Sequence, residues 1–162
     1  MPTIIEYEWR GLEKIISGGQ VGVDRGALDA ARDAGFPTGG MAPAGWATTE
    51  GPNPGLAAYG LEEAAYKGYP YRTERNVLDS DGTLIIASDL TSAGTVLTMK
   101  YCHKHGRPFY TVKLPTSPGY LQGVRDWLKR DCIHTLNVAG NHKQPQYHHA
   151  ETYRIISEVL YA

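Results

Sequence analysis

Thr83-Leu84-Ile85-Ile86-Ala87 is a short run that is apolar on both faces. A strand with one wet face alternates polar and apolar residues. A strand covered on both faces does not, and that is the mark of a central strand in a parallel sheet. Parallel neighbours need long crossovers, so helices should flank the run. Downstream, Ala93 to His105 has helical character and closes at Gly106 and Pro108. Phe109 to Leu114 alternates as a strand, and Tyr120 to Arg130 carries Leu121, Val124, Trp127 and Leu128 on one helical face. Ile133 to Val138 is a further strand, and His148 to Leu160 a last helix with Tyr153, Ile156, Val159 and Leu160 as its core stripe.

Upstream, Leu12 to Ser17 reads as a strand ending in Gly18-Gly19. Val23 to Ala34 follows with apolar residues at helical spacing, stopped by Gly35 and Pro37. Thr38 to Ala42 is a weak strand, and Leu61 to Tyr66 and Thr73 to Asp79 read as short helices. Strands alternating with helices give a parallel sheet with helices on both faces and right-handed crossovers. The expectation is an α/β protein: a single Rossmann-like doubly wound domain over residues 1–162, with a mostly parallel five-stranded sheet. Ligands of such sheets sit beyond the carboxyl ends of the strands, near a switch in strand order.

Composition narrows the function classes. The chain has 162 residues and a net charge of -1, with 16 Lys and Arg against 17 Asp and Glu. A nucleic-acid binder would usually carry a basic excess, so no nucleic acid is expected. Cys102 and Cys132 form no C-x-x-C pair and no disulfide framework, and read as buried free thiols. No apolar run approaches the ~20 residues of a membrane span, and Met1 to Glu6 lacks the basic and apolar regions of a signal peptide. A soluble, cytoplasmic protein with no membrane partner is expected. The 19 Gly and 10 Pro are partly concentrated in Pro43 to Gly60, which holds Gly45, Gly51, Gly55, Gly60, Trp46 and Tyr59. A connection that long suits a lid over a binding site, or a surface loop.

Chemistry concentrates in turns after strands. Ser17-Gly18-Gly19-Gln20-Val21-Gly22-Val23-Asp24-Arg25-Gly26 allows close backbone approach to a ligand, and the helix after it offers N–H groups to an anion. It is neither G-x-G-x-x-G nor a phosphate loop with its Lys. Asp24 as a simple helix cap and Arg25 in solvent are the plain alternatives. Ser88 to Thr95 offers the Ser92 and Thr95 hydroxyls beside Gly94 at a helix start, where Ser92 could equally be an N-cap. Asn137-Val138-Ala139-Gly140-Asn141 suits the rim of the same cleft, or a tight turn. Arg72 and Arg75 lie three apart and share a helical face, able to clamp an oxyanion unless Glu74 or nearby Asp residues neutralise them. The histidines show no metal-binding spacing and are expected to face solvent. There is no G-x-S-x-G elbow and no signature of a nucleophilic Cys.

Taken in order, Ser17 to Arg25, Arg72-Thr73-x-x-Asn76-Val77, Asp79 to Ile85 and Leu136 to Gly140 resemble the molybdenum-cofactor carrier protein family. That family sits among Rossmann-like nucleotide-binding proteins related to the cytokinin-activating, lysine-decarboxylase-like enzymes, and the likeness spans roughly residues 12–160. The resemblance implies an oligomer, often a homotetramer. It implies a carrier that binds, protects and transfers the molybdenum cofactor (a molybdopterin with a terminal phosphate), or otherwise molybdate or phosphate. Its partners would be molybdenum enzymes or cofactor-synthesis proteins.

Carried over by position, the ligand residues are Gly18, Gly19, Gln20, Asp24, Arg25, Arg72, Asn76, Ser92, Gly94, Thr95, Asn137, Gly140 and Asn141. Arg75 is added on physical grounds. Two departures matter. Related nucleotide-cleaving enzymes place a Glu three residues after the Gly-Thr pair, where this chain has Thr98, so no enzymatic role is expected. The family often has Pro-Arg after the last Gly, where this chain has Asn141-His142. The alternatives are a nucleotide-cleaving, phosphoribohydrolase-like enzyme using Asp24, Glu50 or Asp81 as base, and a nucleotide-sensing module.

Overall fold

The computed structural model describes residues 9–161. Strands β1 (Lys14–Ile16), β2 (Thr38–Ala42), β3 (Leu61–Glu63), β4 (Gly82–Ala87), β5 (Phe109–Lys113) and β6 (Thr135–Gly140) alternate with helices α1 (Val23–Asp33), α2 (Tyr69–Leu78), α3 (Ala93–His105), α4 (Tyr120–Arg130) and α5 (Pro145–Leu160). One sheet runs in the order β3-β2-β1-β6-β4-β5, and every pairing is parallel. β4 lies between β6 and β5, with Ile85 opposite Ala139 on one side and Thr111 on the other. All six of its residues are buried, as its two-faced apolarity requires.

The sheet has six strands, not five. The added strand is β3, where the sequence suggests a helix over Leu61–Tyr66. Only Leu61 of its three residues is buried, and Glu62 and Glu63 face water. A short edge strand with one anchor has too little alternation to reveal its period. Helix α2 begins at Tyr69 rather than Thr73, with Pro70 in its first turn where the missing N–H costs nothing.

β1 leads through α1 toward one sheet edge, and β4 leads through α3 toward the other. Right-handed crossovers running in opposite directions lie on opposite faces. Accordingly α5 packs against both α1 and α4, while α2 packs on α3. Ile15, Leu84, Ile86, Leu136 and Val138 of the strands join Ala27, Ala31, Trp127, Leu128, Ile155 and Ile156 of the helices in the main apolar core.

Residues 43–60 form a packed bridge between β2 and β3. They contain two short 3-10 turns, Ala44–Trp46 and Pro54–Tyr59. Leu56 is fully buried with Leu28, Ala42 and Leu61 in a second small core, and the Thr38 hydroxyl donates to the Tyr59 carbonyl.

The topology puts a crevice where β4 and β6 lie side by side. The chain leaves β4 into α3 on one face and leaves β6 into α5 on the other. Their carboxyl ends therefore diverge, as they do at a ligand-binding switch point.

Candidate functional site

A cleft of about 220 Å³ opens at this crevice, lined by Gln20, Asp24, Tyr69, Arg72, Gly94 and Thr98 among others. Asp24 sits in the first turn of α1 and is buried, its Oδ2 accepting from the Gln20 N–H at 3.2 Å. Arg72, from the first turns of α2, brings Nη1 to 3.7 Å from that oxygen, with side chains 12% and 5% exposed for Arg72 and Asp24. The arginine passes over residue 18, where a Cβ would stand 2.0 Å from Nη1 and 2.6 Å from Cζ. Gly18 is therefore required by the guanidinium above it.

Burial pushes the Asp24 carboxyl above its ordinary range. The Arg72 guanidinium, the Gln20 N–H, the Ser17 hydroxyl and His142 oppose that rise. Arg72 also lies over the Tyr69 ring, 5.3 Å from its centroid. Among the described residues its Nε is buried with no hydrogen-bond partner. A buried, unpartnered donor on a cation is costly unless a ligand completes it.

The same cleft receives the start of α3. This helix is 13 residues long, and no side chain caps its N-terminus. Its first-turn N–H groups have no intrahelical acceptor and carry the positive end of the helix dipole. A Cβ at Gly94 would meet nothing within 4 Å, so backbone is open to the cleft there. Ser92 stands at the N-cap position, yet its hydroxyl donates to Thr95 Oγ1 at 2.9 Å. An uncapped helix start beside an arginine with an unpartnered Nε has the charge and the donors that an oxyanion would need.

Asn141 holds the β4–α3 loop in place. Its Oδ1 accepts from the N–H groups of Ser88 and Asp89, each at 3.0 Å, and its Nδ2 donates to the Asp89 carbonyl at 3.0 Å and Ser92 Oγ at 3.1 Å. Gly140, at the end of β6, has no room for a side chain, since a Cβ would lie 1.8 Å from the Ile86 carbonyl oxygen. Gln20 Oε1 accepts from the N–H groups of Val21 and Thr49, both at 3.0 Å, and Nε2 donates to the Tyr69 hydroxyl at 3.2 Å. The 43–60 bridge is thus tied to the rim of the cleft. Gly19 adopts φ 77° on the glycine turn, against Leu56 and Leu61.

Other sequence candidates lie elsewhere. Arg75 does not join Arg72 in a clamp. It is 41% exposed and donates to Asp79 at 2.7 Å. Glu74 does not neutralise either arginine. Bonds from His105 and then Lys104 hold its carboxyl below the ordinary range. Asn76 is spent on β2, accepting from the Met41 N–H at 2.8 Å and donating to its carbonyl at 3.0 Å. Asn137 is buried within the sheet and donates to Thr83 Oγ1 at 3.2 Å.

Arg25 donates to the Gly19 carbonyl and lines a separate opening beyond the glycine turn. Asp81 accepts from the N–H groups of His134 and Thr135 before β4, at the far end of the strand from the cleft. Nor do all the histidines face solvent. His148 is 3% exposed, bonded to Ser88 Oγ and to the Lys143 carbonyl. Thr98, where the related enzymes have Glu, lines the cleft and donates to the Gly94 carbonyl at 2.9 Å. Tyr69 was not among the sequence candidates. Its clue is Pro70, a first-turn residue that marks a helix start at Tyr69, four residues before Thr73.

Among the described residues, no group of three or more His, Cys, Asp and Glu is placed to hold a metal ion. No helix among them is long and apolar enough to cross a membrane.

A solved structure described as a "putative molybdenum carrier protein" from Syntrophus aciditrophicus SB matches with a TM-score of 0.81 and 35% identity, covering 93% of this chain and 94% of that one. No curated protein matches the chain. The family model for the circularly permutated YpsA SLOG family matches residues 15–160. With nearly its whole length matched, the chain belongs to the circularly permutated YpsA SLOG family.

Proposed function

We propose that this protein is a carrier of the molybdenum cofactor, held by its terminal phosphate in the Arg72 cleft. The observation that carries the reading is the pairing of a buried, unpartnered Arg72 Nε with the uncapped start of α3 in one small cleft. The phosphate accepts from the first-turn N–H groups of α3 and from Arg72. Asp24 orients the guanidinium from behind. The name of the Syntrophus relative agrees with a molybdenum cargo. Among the described residues lining the cleft the one acidic side chain is Asp24, buried and engaged with Arg72, and the position of the acid in related nucleotide-cleaving enzymes holds Thr98. Binding and release without turnover therefore fit the side chains better than base cleavage. The cargo would pass to molybdenum enzymes or cofactor-synthesis proteins, with the carrier acting as a homo-oligomer.

The test is equilibrium binding of purified molybdenum cofactor to the wild type, Arg72→Ala and Arg75→Ala. Micromolar binding is expected for the wild type and Arg75→Ala, with Arg72→Ala weaker by tenfold or more. Absence of binding to the wild type, or equal binding by all three, contradicts the proposal.

A further inference from the structure

His142 lines the Arg72 cleft together with Asp24, Tyr69 and Arg72. Among the described residues its side chain makes no hydrogen bond and no ion pair. Its backbone is fixed from two sides. The Asn141 side chain holds the β4–α3 loop, and the Asn141 carbonyl accepts from the Val23 N–H at 3.2 Å, at the start of α1. A Cβ at Gly22 would lie 3.1 Å from the His142 Cα, so this residue packs directly on the glycine turn. His142 therefore stands between the starts of α1 and α3, and its charge acts on the buried Asp24 carboxylate.

The groups around it leave the cleft short of positive charge. From α1 His142 faces Asp24, and from α2 Arg72 and Tyr69. Helix α3 brings Ala93, Gly94, Leu97 and Thr98 to the cleft, none of them ionisable. On its own loop, Lys143 acts on Asp89, and in α5 His148 is buried against Ser88. Arg25 and Glu50 line the opening on the far side of the glycine turn. The Arg72–Asp24 pair cancels formally. With His142 neutral, only helix-start N–H groups remain to balance an anion.

A phosphate monoester carries about −1.5 to −2 charges at pH 7. Histidine is the side chain that gains a proton between about pH 5 and 8. In the empty cleft, Arg72 and two helix starts without side-chain caps disfavour a further positive charge. A bound anion reverses that balance. Proton and anion each then strengthen the binding of the other.

We infer that His142 is a second cationic donor at this site, and that the oxyanion is captured together with a proton. The protonated imidazole donates to an oxyanion oxygen at the rim of the cleft. As pH rises and the proton leaves, affinity falls and the anion is released more readily. The inference rests on the Arg72 cleft being the oxyanion site.

Sulfate is the probe, because it stays a dianion over this range while phosphate itself titrates. Calorimetric titration of the wild type, His142→Ala, His142→Arg and Arg72→Ala from about pH 5.5 to 8, in two buffers of different ionisation enthalpy, reads affinity and proton uptake together. Circular dichroism confirms that each variant is folded. Wild-type affinity should fall about fivefold or more from the acid to the alkaline end, the size of one exposed charge contact, with net proton uptake on binding. His142→Ala should stay near the alkaline wild-type affinity, and His142→Arg should keep the acid-end affinity at every pH. Asp24, pushed up by burial, gives a slope of the same sign at the acid end, and His142→Ala isolates that share because Asp24 is unchanged in it.

Wild-type binding with no pH dependence or no proton uptake, or the wild-type slope in His142→Ala, overturns the inference and leaves the Arg72 reading standing. Absence of sulfate binding to the wild type at every pH, or equal binding by Arg72→Ala, overturns the Arg72 reading and the role of His142 with it.

Discussion

Removing Arg72 should damage stability and binding by separable routes. Arg72→Ala leaves the Asp24 carboxylate buried beside the cleft, 5% exposed and without its cation. Breaking a buried pair by deleting one partner costs about 3–5 kcal/mol. The contact here is 3.7 Å, and Asp24 keeps the Gln20 N–H, so the lower end, about 3 kcal/mol at neutral pH, is expected.

The pH dependence follows from the sign of the shift. Asp24 is already pushed above its ordinary value of 3.8 by burial, and Arg72 is the largest influence holding it down. Without Arg72 the carboxyl rises further. A raised carboxyl adds stability below its unfolded pKa and loses it as pH rises through the folded one. The deficit of Arg72→Ala should therefore be small near pH 4 and grow with pH until Asp24 is fully ionised. Asp24→Asn in the Arg72→Ala background removes the stranded charge and should recover most of the loss, with a coupling of about 2 kcal/mol in the double-mutant cycle.

Binding is not rescued in the double variant. A charge-assisted bond to an oxyanion is worth about 1.5–3 kcal/mol, so the loss of one keeps affinity down by about tenfold to 150-fold. Urea unfolding from pH 4 to 8, with phosphate or cofactor titration alongside, measures both. A coupling below about 0.5 kcal/mol, or a deficit that does not change with pH, would refute the buried-pair reasoning.

Three further outcomes are expected. Gly18→Ala puts a Cβ 2.0 Å from Arg72 Nη1, the far end of a flexible chain. The fold should persist while oxyanion affinity falls about as far as in Arg72→Ala, roughly tenfold or more. Asn141→Ala strips the shared acceptor from the Ser88 and Asp89 N–H groups. Partial exposure of the loop favours the low end of the usual penalty, about 2 kcal/mol in total, with faster hydrogen exchange at those two amides. Leu56→Ala opens the small core it forms with Leu28, Ala42 and Leu61, and urea unfolding should register a loss of about 2–5 kcal/mol.

The fold was legible where the signal is local. The two-faced apolarity of β4, the full span of α3 between Ser92 and Gly106, and the β2 run Thr38–Ala42 all read directly from spacing and stop signals. β3 did not, because three residues with one buried position carry no period. The site was legible as a set of turns, since glycines after strands are local features. Which side chains meet was not. Helical spacing puts Arg72 and Arg75 on one face, but Asp24, 48 positions earlier, draws only Arg72 inward, while Asp79 holds Arg75 in solvent. Asn141 looked like a ligand residue from its place after β6. Its partners lie 46 to 53 positions away, and only the packed sheet reveals that its amide is fully engaged. Long-range pairing of polar side chains has no periodicity to read.

The most direct measurement is the identity of the small molecule that copurifies with the protein, by mass spectrometry and metal analysis of wild type and Arg72→Ala expressed side by side. The carrier account predicts molybdenum and a phosphorylated pterin in near-equal amounts with the wild type, and neither with Arg72→Ala. A bound nucleotide without molybdenum, or the same pterin load on both proteins, would contradict it.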